Sequence, residues 1–139
     1  MTVLHRDDGT TVIRFDMGEE IVSGIGDWCS DMGIEAAAIV AGIGMLSDIT
    51  IGRYDGREYV KRTIDESSEI LSLQGNVSIK EGEPFVHLHV SLADESFSAV
   101  GGHLFEGTVS MTIELVIIEL NSSFVRTPTG GTFWKLEKR

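Results

Sequence analysis

After Gly33 the chain never again sustains a helical period. It runs instead in stretches dense in β-branched residues, each bounded by glycine, aspartate or serine, which is the pattern of strands joined by tight turns. Strands are expected at 36–43, 47–54, 58–64, 69–79, 85–92, 97–104, 108–120 and 132–136, with turns at Gly42-Ile43-Gly44 and Asp55-Gly56. Only one earlier segment has a different period. Over 19–31, Ile21, Ile25, Trp28 and Cys29, continued by Met32, recur at three- and four-residue spacing and form one apolar stripe. Asp16 with Glu19 reads as a capping box and Gly33 as the stop. One helix near the N-terminus followed by a run of antiparallel strands gives an α+β class, mostly antiparallel sheet. The 139 residues hold two prolines and no Ser/Gly-rich linker, so a single domain over 1–139 is expected.

Charge narrows the function. Eleven basic residues against 22 acidic leave a net charge of −11. Binding a polyanion needs a basic footprint to displace its counterions, so direct DNA binding is not expected, and docking on an anionic membrane is disfavoured likewise. No apolar run approaches bilayer-spanning length, and Arg6, Asp7 and Asp8 interrupt the first residues, unlike a signal peptide. A cytoplasmic location is the expectation. Cys29 is the only cysteine, so no internal disulfide can form, and on the apolar stripe beside Trp28 it reads as a packed side chain.

The chemistry concentrates in Phe85-Val86-His87-Leu88-His89-Val90-Ser91-Leu92. On a strand, Val86, Leu88, Val90 and Leu92 share the core face, while Phe85, His87, His89 and Ser91 share the other. His103 follows after an acidic turn and Gly101-Gly102. A three-residue loop at Asp94-Glu95-Ser96 would pair Ala93 with Phe97 and set His103 opposite His87, with Gly101 opposite His89 leaving open space. Opposed side chains lie about 5 Å apart at Cβ, close enough for imidazoles to share a zinc at about 2.0–2.1 Å from each nitrogen. Three neutral imidazoles leave a fourth position open. The metal ligands expected are therefore His87, His89 and His103, with zinc as the metal. The competing reading is three ordinary polar residues on a half-exposed strand. Gly42-x-Gly44 lacks the third glycine of a dinucleotide fingerprint and reads as a turn.

Three blocks then carry a resemblance: Glu69-Ile70-Leu71-Ser72-Leu73-Gln74-Gly75-Asn76, His87-Leu88-His89-Val90-Ser91-Leu92 and Val100-Gly101-Gly102-His103. With Gly42 to Ser47, and Phe124-x-Arg126 before Thr129-Gly130, this order resembles the plant and prokaryote conserved (PPC) domain over almost the whole chain. In plants that domain follows an AT-hook and mediates assembly; no AT-hook is present here, as in free-standing prokaryotic members. Ser67-Ser68 stands where the family pattern has Arg-Phe before the glutamate. The resemblance implies a compact α+β homotrimer, in some members with a metal, usually taken as zinc, on the histidine cluster. It supplies no reaction. The leading reading is a zinc-binding, homotrimeric binding or assembly module with no known small-molecule ligand. A zinc enzyme acting on a small molecule is the rival, with Glu69 or Glu106 as candidate acid/base residues. A metal-free domain whose histidines line a subunit contact is the third. The late strand Val116-Ile117-Ile118 with Leu115 and Leu120, apolar on both faces, suits a subunit contact or, equally, a central strand covered on both sides within the chain.

Overall fold

A computed structural model describes every residue from Met1 to Arg139. The elements in chain order are β1 (Thr2–Asp7), β2 (Thr10–Asp16), α1 (Ile21–Met32), β3 (Ala37–Tyr54), β4 (Tyr59–Ile64), β5 (Ser68–Lys80), β6 (Glu83–Ala93), β7 (Ala99–Glu119), β8 (Phe124–Pro128) and β9 (Trp134–Lys138). Apart from one parallel contact between β5 and β8, every pairing is antiparallel. β3 pairs with β5 and β7, and β6 pairs with the same two strands, so the path β3–β5–β6–β7 returns on itself. The expected α+β class holds.

Alternation predicts the inner face correctly. Val86, Leu88, Val90 and Leu92 of β6 are all buried and join Leu73, Leu104, Ile113, Leu115 and Ile117 in one apolar cluster. The stripe Ile21, Ile25, Trp28 and Cys29 seats α1 on that cluster, against β6 and β7. Gly24 suits this seat: a Cβ there would lie 2.6 Å from the Phe15 ring.

The structure departs from the expectations at five places. Residues 1–16 form a hairpin that was not anticipated, β1 on β2, turned by Asp8 (φ 46°) and Gly9 (φ 77°). Two consecutive positive φ values are what a tight hairpin turn matching strand twist requires. The helix is capped by Glu20, which accepts from the Ser23 N–H; Glu19 accepts from the Asp16 N–H at 2.7 Å, but that contact closes a turn ahead of the helix, with Asp16 four residues before the cap. Gly42-Ile43-Gly44 is no turn. β3 runs through it for 18 residues, bending at bulges, and Gly44 lies so near β7 that a Cβ would fall 2.0 Å from the Thr112 carbonyl. Likewise the expected strands 97–104 and 108–120 are one, the 21-residue β7. Gly107 does not break it, because its N–H is held by the Glu20 carboxylate at 3.0 Å. β8 lies outside every expected strand.

Candidate metal centre

β6 and β7 bring the three histidines together, but in a register different from the expected one. His89 pairs with His103, Ala93 with Ala99, and His87 with Asn76 of β5 on its other side. The loop between the strands holds five residues, not three, because the Asp94 carboxylate organises it, accepting from the N–H groups of Ser96 and Ser98 and from the Ser96 hydroxyl. Phe97 takes a left-handed φ of 65° within it. Two added residues shift the register by an even step, so His103 keeps the expected face. The space imagined beside Gly101 does not exist: a Cβ there would sit 2.3 Å from the Val90 carbonyl.

One potential ligand nitrogen from each of His87, His89 and His103 lies within 4.8 Å of the others. Ring centroids are 4.9 Å apart for His87–His103, 5.2 Å for His87–His89 and 5.6 Å for His89–His103. His103 is buried, His87 half-buried and His89 exposed. Nδ1 of His103 is buried without any hydrogen-bond partner. A buried polar atom left unpaired costs about 1–3 kcal/mol, and a metal ion would satisfy it. Ligands of a tetrahedral zinc lie nearer to one another than 4.8 Å, so modest ring rotations complete the set. The donors fit the ion.

The electrostatics are those of neutral imidazoles. Burial first, then Arg126 and His89, pushes His87 down to about 4. Burial first, then His87, His89, Lys61 and Arg126, pushes His103 down to about 4. Both rings are therefore unprotonated at neutral pH, as ligation requires.

Arg126 is the functional residue that sequence reasoning did not single out; its only signal was its place in the Phe124-x-Arg126 block of the resemblance. The parallel contact of Val125 with Ile79 carries Arg126 beside β5, where it donates to Asn76 at 2.8 Å, to Ser78 at 3.1 Å and to Nδ1 of His87 at 3.1 Å. A guanidinium has no lone pair to offer, so Nδ1 of His87 accepts and the neutral ring carries its proton on Nε2. Metal at Nδ1 would displace this contact, and metal at Nε2 would move the proton to Nδ1 and open it. Arg126 and a metal thus compete for the same ring. Tyr59 and Phe105 wall His103, at centroid distances of 5.0 and 4.4 Å. A cleft of about 280 Å³ opens beside His87 and His103. Glu69 and Glu106 do not line it; Glu69 borders a separate groove with Arg62 and Phe97.

The sequence profile of the Plants and Prokaryotes Conserved (PCC) domain matches residues 5–121. A plant- and prokaryote-conserved protein from Pyrococcus horikoshii is 40% identical, with TM-score 0.81 over 94% of this chain and 93% of that one. A metal-containing protein from Archaeoglobus fulgidus is 34% identical, with TM-score 0.81 over 97% and 99% of the two chains. A candidate DNA-binding protein from Ralstonia eutropha JMP134 shares the fold at TM-score 0.87 over 97% and 95%, at 22% identity. Among curated proteins, the bifunctional protein GlmU of Synechococcus sp. (strain JA-3-3Ab) is 29% identical over 122 residues, and this chain spans 19% of its length.

Proposed function

This chain belongs to the Plants and Prokaryotes Conserved domain family, and we propose that it is a metal-binding, homotrimeric assembly module whose His87, His89 and His103 hold one zinc ion. The observation that carries the reading is the convergence of three imidazoles from two paired strands, with the buried Nδ1 of His103 left unpaired. A metal on a relative at 34% identity supports it. Zinc suits a three-nitrogen set better than magnesium or calcium, which take oxygen ligands.

Self-assembly draws on the outer face of the central strands. There Val12, Val116, Ala38 and Ile118 meet in register, flanked by Val40 and Ile43, and Val40, Ile43 and Ile118 are exposed. An apolar strip of this kind on an acidic protein suits further copies of the same chain, joined head to tail in a closed ring of three.

As an enzyme the site would have to work without a carboxylate general base, since no acidic side chain lines the cleft. Binding is the better-supported role. Elemental analysis of untagged protein tests the proposal. About one zinc per chain is expected, falling to about a tenth of that in His89→Ala with the sheet intact by circular dichroism. Full zinc retention by that variant would overturn it.

A further inference from the structure

The cleft beside the histidines is charged against the grain of the protein. In a chain with twice as many acidic as basic residues, its lining includes Lys80 and Arg126 and no aspartate or glutamate. Arg126 is half-buried and forms no ion pair, and neither does Lys80. Its guanidinium is thus drawn partly out of water with no carboxylate to meet it. Three of its five N–H groups are held by Ser78, Asn76 and His87, which fixes the plane of the guanidinium and leaves Nη1 free. Burial lowers its pKa, and only the Tyr59 phenol works the other way, with no carboxylate among the causes.

The rest of the lining is aromatic. Phe85, Trp134, Phe133, Tyr59 and Phe105 form the walls. The Lys80 ammonium lies 4.5 Å from the Trp134 ring centre and 5.2 Å from that of Phe85, and Arg126 lies 5.5 Å from Phe85. These rings hold the cations over the cleft without neutralising them. Zinc on three neutral imidazoles would add two further uncompensated positive charges beside Arg126. Only an anion balances such a site.

We propose that the cleft binds a small monocarboxylate with a flat or branched apolar body, its carboxylate held by Arg126 and Lys80 and its body packed between Phe85 and Trp134. A planar carboxylate matches the guanidinium fork, and the aromatic walls take an apolar body that inorganic phosphate lacks. A volume of about 280 Å³ admits roughly a single ring with its carboxylate. With zinc bound, a carboxylate oxygen can also take the open fourth position, so the inference deepens the metal reading while resting in part on Arg126 and Lys80 alone.

Isothermal titration with benzoate and with its neutral analogue benzamide tests this, on zinc-loaded and on chelator-stripped protein. Benzoate should bind both forms, more tightly when zinc is present, and benzamide at least about tenfold more weakly. Arg126→Gln should weaken benzoate about tenfold or more. Lys80→Gln, at a half-buried position in the cleft wall, should weaken it about threefold, in keeping with a single partly screened charge. Equal binding of benzoate and benzamide, no benzoate binding at 10 mM (roughly the weakest useful affinity for so small a ligand), or unaltered affinity in both variants would overturn the inference. Zinc uptake without benzoate binding sinks this inference alone. Arg126-dependent benzoate binding by a protein that takes up no zinc sinks the metal reading and leaves this one standing.

Discussion

Gly75→Ala should weaken the fold at the place where the histidine strand is held. Gly75 of β5 lies opposite Leu88 of β6, and on its other side opposite Ile39 of β3. A Cβ added there would stand 1.9 Å from the His87 carbonyl oxygen and 2.9 Å from a Leu88 methyl, whereas real Cβ contacts essentially never fall under 3.0 Å. The nearer atom is backbone, so β5 and β6 must part by about an ångström to restore contact. Overpacking of this kind costs roughly 1–3 kcal/mol, and one or two stretched ladder hydrogen bonds add about 1 kcal/mol each. Replacing glycine returns about 0.5 kcal/mol through the unfolded chain. The net is about 2–4 kcal/mol of lost stability. With a urea m-value of about 2 kcal/mol/M, the midpoint should drop by about 1–2 M. The assay is urea unfolding followed by circular dichroism, in chelator and at one fixed protein concentration, because assembly and metal both shift the apparent midpoint. Gly131→Ala is the control: a Cβ there meets nothing within 4 Å. A Gly75→Ala midpoint within about 0.25 M of the control, or about 0.5 kcal/mol at that m-value, would refute the close approach of β5 to His87.

Other outcomes follow from the same structure. Cys29 is buried, and burial pushes its thiol up to about 12, so a thiol-specific disulfide reagent at pH 8 should label native protein no faster than the protein unfolds. Glu119 accepts from Arg6 at 2.8 and 2.9 Å and from the Thr11 hydroxyl at 2.9 Å; the Arg6 hydrogen bonds lead in holding its carboxyl below the ordinary range. That contribution is complete above the unfolded carboxylate pKa of about 4.3 and is lost as pH falls through the lower folded value. The stability gap between the protein and Glu119→Gln should therefore be flat from pH 7 to about 5 and close below about pH 4. Light scattering at micromolar concentration should give about three times the 15.2 kDa chain mass, and a monomer would end the trimer proposal. Fluorescence anisotropy with an AT-rich duplex at physiological salt should show negligible binding, since three chains at −11 each carry about −33; submicromolar binding that falls steeply with salt would reveal a basic patch strong enough to override that charge.

What the sequence made legible was periodicity. The alternation in residues 85–92 assigned both faces of β6, and the three- and four-residue spacing from Ile21 to Cys29 assigned the buried side of α1. Both patterns are local, and both survive any error in what lies between elements. Loop length was not legible, because it depended on the Asp94 side chain replacing backbone turn hydrogen bonds. His103 came to the right face only because the miscount was even. The joined strands β3 and β7 were hidden by glycines that look the same in sequence as turn glycines: Gly44 marks a close backbone approach, and Gly107 packs under the Leu46 side chain. Arg126 was hidden for a different reason: it reaches His87 from 39 residues away through a single parallel contact between β5 and β8. The negative total charge also masked a cleft whose own charge is positive.

X-ray absorption at the zinc edge, on protein loaded with one equivalent of zinc, bears most directly on the metal centre. Three imidazoles from His87, His89 and His103 predict nitrogen or oxygen scatterers at about 2.0–2.1 Å, with the outer-shell pattern of imidazole rings at an amplitude of about three. In His103→Ala that amplitude should fall by a third or the zinc should be lost. A sulfur shell at about 2.3 Å would place the ion on Cys29, and a spectrum of oxygen neighbours with no imidazole pattern would place it nowhere in particular; either result would contradict the three-histidine site.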